Sequence, residues 1–299
     1  MFGPSRHFAL PRVFQNGKDC HSRSVDEICE FLVPNAKRTI INLGDSHADI
    51  VGTQLLEWSK KNNYSYIHMT NTSCPFVLDA FRFNDQKILT TCTPKTQRQW
   101  LKKIKSYDKP VIIYSGRFPL YLSGHFFDNG LGGVEIGPDY KLSATNDPKS
   151  NKAIAPLIIN TINQLIEISS NLILIYPIPE AGWHVPNVIR RKLLAFPISS
   201  RSDKFKLIQL TTPYSVYKIR AKSTYEIFDS LSSNKIIRVY PGEIFCSEKT
   251  NSCITTDSSK IFYSDTNHLS MYGANLVANA VTREFELNAN IDSPTQTIN

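Results

Sequence analysis

Three side chains in this sequence could together carry out nucleophilic chemistry. Ser46 lies in the stretch Gly44-Asp45-Ser46-His47, and an Asp265-x-x-His268 pair lies near the other end of the chain. A serine hydroxyl is a weak nucleophile until a base removes its proton and a third group orients that base. Histidine and aspartate suit these two roles. The pattern therefore predicts that Ser46 attacks an acyl carbonyl, with His268 as the base and Asp265 as its orienting partner.

A purely structural interpretation of the same residues stays open. Serine is a favoured N-cap of helices, so Ser46 could simply begin one. Asp265 and His268 could be ordinary loop residues. Each of these explanations is reasonable alone, but both motifs would then have to arise by accident. The functional hypothesis is the one we pursue.

Strands and helices alternate along most of the sequence. Apolar runs predict five strands, at 38–43, 64–69, 110–115, 171–177 and 235–240. Helical spacing of apolar residues predicts helices at 47–62, 95–106, 153–169, 185–195, 214–231 and 269–287, with a short helical candidate at 25–32. This order favours an α/β fold: a three-layer α/β/α sandwich, flavodoxin-like, whose mainly parallel sheet has about five strands.

In such a sheet the functional groups gather at the carboxyl ends of the strands. Ser46 follows the first predicted strand, Ser73 follows the second, and Gly116 and Arg117 follow the third. We therefore expect these residues to meet at one edge. The segment 124–148 holds five of the thirteen glycines and is expected to be an irregular loop that contacts the substrate.

The net charge of +8 is scattered over the 299 residues. Arg190, Arg191 and Lys192 form its one tight run, and no nucleic-acid-binding motif accompanies them. A solvated basic face is expected rather than a nucleic-acid partner, with affinity for anionic glycans or membrane headgroups as the alternative. No run of about eighteen apolar residues predicts a transmembrane helix, and the first residues do not resemble a signal peptide.

The six cysteines form three couples that are close in sequence: Cys20 with Cys29, Cys74 with Cys92, and Cys246 with Cys253. None has the Cys-x-x-Cys spacing of a redox or zinc site. Three disulfides are one interpretation, and they would indicate an oxidising compartment. Six buried thiols in a cytosolic protein are the alternative. Since disulfides require export and no export signal is apparent, the chain is expected to be a fragment or the soluble half of a larger protein.

The two motifs carry a family resemblance. Gly44-Asp45-Ser46 after a strand, with Asp265-x-x-His268 before a C-terminal helix, resembles the SGNH (GDSL-like) esterase and acyltransferase superfamily. The Gly-x-Ser-x-Gly elbow of α/β-hydrolases is missing. More narrowly, the chain is similar to the SGNH domain attached to membrane acyltransferase-3 proteins that O-acetylate bacterial surface polysaccharides. Segments 72–75, 111–118 and 246–274 fit this narrower group, and the resemblance runs from about Cys20 to Leu287.

The resemblance implies a serine-dependent O-acyltransferase, transferring an acetyl group to a bacterial surface polysaccharide such as lipopolysaccharide O-antigen through an acyl-serine. The alternatives are a carbohydrate esterase or lipase of the same fold, or an inactive glycan-binding fragment. A glycan is the expected acceptor, and an acyltransferase-3 membrane domain the expected source of the acyl donor. We expect a monomer without cofactor or metal, located in the periplasm or on the extracytoplasmic side of a membrane.

The superfamily pattern is incomplete at the oxyanion hole. The usual donors are a glycine after the second strand and the asparagine of a Gly-x-Asn-Asp block after the third, and neither is plain here. The Ser46 N–H is one expected donor, and a group from Ser73, Gly116 or Arg117 is the second. Arg117 could instead be a structural ion-pair residue.

The remaining histidines and the chain ends complete the expectations. His47 is expected to be a helix-start residue, whereas His125 and His184 are expected to be loop histidines rather than metal ligands. The chain is divided into an N-terminal extension at 1–35, a catalytic domain at 36–287 and a polar tail at 288–299.

Overall fold

The computed structural model describes residues 10–137, 140–150 and 152–291. The predicted N-terminal extension therefore lies partly outside the described residues, as does most of the predicted polar tail. The strands are β1 Phe14–Gln15, β2 Lys18–Asp19, β3 Cys29–Phe31, β4 Thr39–Gly44, β5 Ser65–Thr70, β6 Phe81–Asn84, β7 Lys87–Ile88, β8 Val111–Ser115, β9 Tyr140–Ser143, β10 Asn171–Ile175, β11 Thr211–Pro213, β12 Ile236–Val239, β13 Cys246–Ser247 and β14 Ser252–Ile254.

The helices lie between these strands. They are α1 Ser46–Asp49, α2 Gly52–Lys61, α3 Pro94–Ile104, α4 Phe118–Ser123, α5 Ala155–Ile168, α6 Val185–Leu194, α7 Arg201–Lys206, α8 Tyr214–Asp229, α9 Pro241–Phe245 and α10 Met271–Ile291, with a 3-10 turn at Ile198–Ser200. Among residues 10–137, 140–150 and 152–291, no helix combines the length and the apolar character needed to cross a membrane.

Six strands form the central sheet, in the order β12-β10-β8-β4-β5-β3. The five strands predicted from the apolar runs pair in parallel, which confirms the predicted α/β sandwich. β3 adds an antiparallel edge, with Cys29 opposite His68. The short helix predicted at 25–32 is wrong, because residues 29–31 form β3 and pair with β5 and the residues before them form a turn.

The sheet is buried on both faces because its strands alternate apolar side chains between two helical layers. Ile40 packs in one core cluster, with side chains from α2, α6 and α10. Ile41 points to the other side and joins a cluster with side chains from α3, α5 and α8. Since both faces are covered, polar groups can reach solvent mainly at the strand ends.

All three predicted disulfides are present in the structure. Cys20–Cys29 ties the N-terminal segment to the sheet edge. Cys74–Cys92 closes the loops after β5, and Cys246–Cys253 joins β13 to β14. Each bond restricts a segment that lies outside the main parallel strands.

Gly44 ends β4 and lets the chain turn into α1. Its φ of 147° lies in the region that favours glycine. A Cβ at this position would lie 1.8 Å from the carbonyl oxygen of Ser115, on the neighbouring strand. The close approach of these two strand ends therefore requires glycine directly before the Asp45-Ser46 turn.

Replacing Gly44 with alanine should destabilise the fold strongly. The new methyl group would collide with backbone that cannot move away without separating β4 from β8, so we expect a loss of at least about 4 kcal/mol in the free energy of unfolding. Denaturant unfolding measures it. Gly130→Ala is the matched control, since Gly130 also has a positive φ of 71° but nothing within 4 Å of the added atom. Equal losses in the two variants would contradict the steric argument.

Candidate active site

The structure places the three residues of the predicted triad in one hydrogen-bonded chain. His268 Nε2 lies 2.8 Å from Ser46 Oγ. On the other side of the ring, His268 Nδ1 lies 2.7 Å from Asp265 Oδ2. The carboxylate accepts the Nδ1 proton, so Nε2 carries the lone pair and can accept the Ser46 proton. The geometry is that of a serine nucleophile with its base and orienting group.

Local backbone geometry sets the positions of these side chains. Ser46 is the first residue of α1, where a backbone N–H has no intrahelical partner. Asp265 Oδ1 accepts hydrogen bonds from the N–H groups of Asn267, at 2.9 Å, and His268, at 2.7 Å. The Asp265-x-x-His268 spacing thus closes a tight turn that aims one side chain at the other.

Asp265 is held in its ionised form. Burial raises the pKa of its carboxyl. The hydrogen bond and the charge of His268 lower this pKa, as do the two backbone N–H groups, and together they outweigh burial. The net pKa lies well below the ordinary value. Asp265 can therefore orient His268 and balance a positive charge on the ring without competing for the proton.

Asp45 holds the turn that carries Ser46. It is fully buried, and its Oδ1 accepts the N–H of His47 at 2.8 Å. Its Oδ2 accepts the Arg117 N–H and the Tyr121 hydroxyl, each at 2.8 Å. One carboxylate therefore ties the turn after β4 to the turn after β8.

The contacts of Arg117 favour a structural ion pair over an oxyanion donor. Its N–H is taken by Asp45, and its guanidinium lies between Glu135 and Glu180. Burial lowers the pKa of the Arg117 guanidinium, but the two carboxylates outweigh burial and raise it. Glu180 also accepts a hydrogen bond from Arg220 Nε at 2.8 Å.

Glu135 links this ion cluster to the turn at Asp265–His268. It lies in the 124–148 segment, and its Oε1 accepts from Asn267 Nδ2 at 3.1 Å. Asn267 Oδ1 in turn lies 3.0 Å from His47 Nε2. The sequence analysis did not single out Glu135 or Asn267. The predicted role of segment 124–148 near the site was the signal for Glu135, and the place of Asn267 between Asp265 and His268 was the signal for Asn267.

His47 lies near the start of α1, as predicted, and its side chain also lies beside the site. Its ring is buried and stands edge-on to the His268 ring, with 5.4 Å between centroids. Burial lowers the His47 pKa, and the charge of Asp45 only partly opposes this. His47 is therefore neutral and donates from Nε2 to Asn267 Oδ1, at 3.0 Å.

The other sequence candidates occupy varied positions. Ser73 has a φ of 54° and lines the cavity above Ser46. A side chain at Gly116 would meet Phe118 and Pro75 at 3.1 and 3.2 Å. His125 and His184 are exposed; His184 precedes α6 and makes no side-chain cap hydrogen bond.

Ser46 and His268 open into a cavity of about 260 Å³. Its walls combine polar residues from the first part of the chain with apolar and aromatic residues from α4 and the loops that follow. The lining residues are Leu10, Arg12, His21, Ser46, Asp49, Ile50, Thr72, Ser73, Arg117, Leu120, Tyr121, Phe126, Glu135, Tyr140, Asn267 and His268.

The N-terminal segment forms one wall of this cavity. Asp49, one turn after Ser46 on α1, accepts from Arg12 Nη1 at 2.8 Å. Its other oxygen lies 2.9 Å from His68 Nε2. Burial raises the Asp49 pKa, but these neighbours outweigh burial and keep the pKa below its ordinary value. The i, i+3 spacing of Ser46 and Asp49 was the signal in the sequence that both face one space.

Glu180 should make the protein sensitive to acid. Burial raises its pKa, but Arg117 and Arg220 outweigh burial and lower it to about 2, against an ordinary value of 4.5. Because the folded pKa lies below the unfolded one, its contribution is complete above about pH 5 and disappears as the pH falls through about 2.

Glu180→Gln should therefore lower the free energy of unfolding at pH 7 by an amount on the order of 3 kcal/mol. The gap from the unsubstituted protein should close as the pH approaches 2. Denaturant unfolding across this pH range measures the difference in the free energy of unfolding. Glu248→Gln, at an exposed position, is the control. A gap that stays constant with pH would argue against the assignment.

Comparison with known proteins agrees with the architecture and the motifs. The family model described as "SGNH domain (fused to AT3 domains)" matches residues 16–283. The periplasmic domain of a lipopolysaccharide acetyltransferase from Salmonella ser. Paratyphi A is a structural match. It is 19% identical, with a TM-score of 0.53, and the match covers 90% of this chain and 92% of that one. Axe2, an acetylxylan esterase from Geobacillus stearothermophilus, matches at 11% identity and a TM-score of 0.39, covering 83% and 94%.

A search of curated protein sequences finds no match. The family match covers well over half of the chain and includes both motifs. The chain therefore belongs to the family of SGNH domains that occur fused to AT3 domains.

Proposed function

We propose that this chain is a serine-dependent O-acyltransferase that moves an acetyl group onto a bacterial cell-surface polysaccharide, such as lipopolysaccharide O-antigen. The observation that carries the proposal is the hydrogen-bonded chain from Ser46 through His268 to Asp265, open to a cavity. Chemistry of this kind needs no cofactor, since nucleophile, base and orienting carboxylate all come from the protein.

In the first half of the reaction, Ser46 Oγ attacks the acyl carbonyl while His268 Nε2 takes its proton. The tetrahedral oxyanion is stabilised by the Ser46 N–H at the start of α1, and we assign the second donor to the backbone N–H of Ser73. His268 then returns the proton to the departing group. The acyl carbon stays bonded to Ser46 Oγ as an ester.

In the second half, a sugar hydroxyl takes the place of the departed group. His268 removes the hydroxyl proton, the oxygen attacks the acyl-serine carbonyl, and Ser46 leaves with the proton from His268. Polar Arg12 and Asp49 on one wall, with Tyr121 and Phe126 on the other, suit a ring with hydroxyl edges and an apolar face.

The setting supports transfer outside the cytoplasm. Three disulfides suit an oxidising compartment, so we place the chain in the periplasm or on the extracytoplasmic side of a membrane. The family's fusion to AT3 domains supports an acyltransferase-3 membrane domain as the source of the acyl group. The fold shared with a periplasmic domain of a lipopolysaccharide acetyltransferase supports a glycan acceptor.

Hydrolysis by the same residues is the second candidate. The side chains of His268 and Asp265 are 21% and 30% exposed, so water can reach the acyl-serine when no sugar occupies the cavity. If water attacks, the same apparatus is a carbohydrate esterase. The two reactions differ in which hydroxyl reaches the ester.

Ser46→Ala should reduce acyl transfer by at least about a thousandfold, because it removes the nucleophile. The melting temperature and the affinity for glycan should stay close to those of the unsubstituted protein. Exposed Ser258→Ala is the matched control and should leave the rate unchanged. Release of a chromogenic acetyl ester, with mass detection of the acetyl-serine, measures the loss. Full activity in Ser46→Ala would refute the mechanism, and glycan binding without activity in the unsubstituted protein would indicate a binding fragment.

The same ester assay, run with and without an oligosaccharide from bacterial surface polysaccharide, separates transfer from hydrolysis. We expect the oligosaccharide to accelerate ester consumption and to appear acetylated by mass spectrometry. Fast hydrolysis that the oligosaccharide does not alter would favour the esterase.

A further inference from the structure

One surface outside the active site concentrates positive charge and exposed apolar side chains. It spans residues 190–207, from the second half of α6 through the 3-10 turn and α7, and we call it the basic apolar surface. It contains six basic residues and one acidic residue, a net charge of +5 out of the +8 of the whole chain. The basic residues are Arg190, Arg191, Lys192, Arg201, Lys204 and Lys206.

The two sides of α6 differ sharply. Val185, Ile189 and Leu193 recur at four-residue spacing and are buried in the core. Arg190 and Arg191 therefore lie on the outer side together with Leu194, which is 58% exposed.

The segment after α6 repeats this combination. Phe205 is buried and anchors α7 to the core, whereas Ile198 is 80% exposed and Leu207 is 72% exposed. Lys204 lies over the ring of Phe196, with 5.2 Å from Nζ to the ring centroid. The exposed apolar residues therefore lie in or directly after short helical elements, and they alternate along the chain with basic residues.

We propose that the basic apolar surface binds an anionic lipid bilayer. Cationic side chains are attracted to anionic headgroups, and apolar side chains on the same short helices can enter the boundary with the acyl chains. A solvated basic face would explain the charge but not Leu194, Ile198 and Leu207. An acidic polysaccharide would likewise use the cations and leave these three side chains in water.

The position of α6 gives such binding a consequence for the active site. The first N–H of the helix, from Val185, donates to the carbonyl oxygen of Asp265 at 3.3 Å. The helix therefore begins at the catalytic turn, and Arg190 follows little more than one turn later. A bilayer bound at this surface would hold the cavity in a fixed orientation to the membrane. The inference does not depend on the activity of Ser46.

Vesicle co-sedimentation tests the proposal with the full chain. Vesicles of phosphatidylethanolamine with phosphatidylglycerol should bind the protein, whereas vesicles of phosphatidylcholine alone should not. Charge reversal at Arg190, Arg191 and Lys192, each to Glu, should weaken binding by about tenfold or more. The double variant Leu194→Ser, Ile198→Ser should also weaken binding, because it removes the apolar contact. Ser46→Ala should bind like the unsubstituted protein.

Two matched controls guard against general effects. Exposed Lys95 and Lys102 on α3 and Lys105 directly after it, each changed to Glu, alter the charge equally and should retain binding. Ile219→Ser with Leu287→Ser removes exposed apolar groups elsewhere and should also retain vesicle binding.

Absence of binding to anionic vesicles, or equal loss of binding in the variant with the three lysine changes, would overturn the proposal. A different result would assign the surface to polyanions instead. In that case the protein binds dextran sulfate, the charge variant loses this binding and the Leu194/Ile198 variant keeps it, and the Leu194/Ile198 variant also binds vesicles as well as the unsubstituted protein does.

Discussion

The site depends on one buried carboxylate, that of Asp45, directly before the proposed nucleophile. A fully buried carboxylate is costly unless hydrogen bonds satisfy it. Here three donors do so: the N–H of His47, the N–H of Arg117 and the hydroxyl of Tyr121. Each donor belongs to α1 or to the start of α4, so the charge can stay satisfied only while these two turns keep their positions. The aspartate of the Gly-Asp-Ser motif thus acts as a clamp between neighbouring strand ends.

From this clamp a chain of hydrogen bonds and ion pairs extends across the sheet edge. Arg117 carries it to Glu180 after β10 and to Glu135 in the loop, and Glu135 carries it to Asn267 before α10. Removing one partner of a buried ion pair leaves the other charge buried and unpaired. This costs much more folding free energy than replacing both partners with apolar residues. The segments that supply the site are therefore coupled, although they come from distant parts of the chain.

The parallel strands and the neighbourhood of Ser46 could be predicted because local patterns determine them. Apolar runs mark buried strands, and the carboxyl ends of parallel strands share one edge wherever the chain returns. The pairing of Cys29–Phe31 with β5 could not be predicted, because three residues carry no period and the partner is distant. Glu135 and the roles of Asn267 were not predicted for a similar reason, because their contacts join segments that are distant in sequence. The catalytic roles of Ser46, Asp265 and His268 stay predictions, and the structure adds the distances that make them testable.

The electrostatics around His268 favour the direction of proton transfer that the proposal needs. When His268 takes the Ser46 proton its ring becomes positive, with ionised Asp265 at 2.7 Å on one side. His47 stands 5.4 Å away on another side, and a positive charge there would oppose the transition state by about 3 kcal/mol at an effective dielectric constant of about 20. Burial lowers the His47 pKa and so keeps that ring neutral. The neutral His47 ring thus removes a repulsion that would oppose the positive charge which the proposed reaction places on His268.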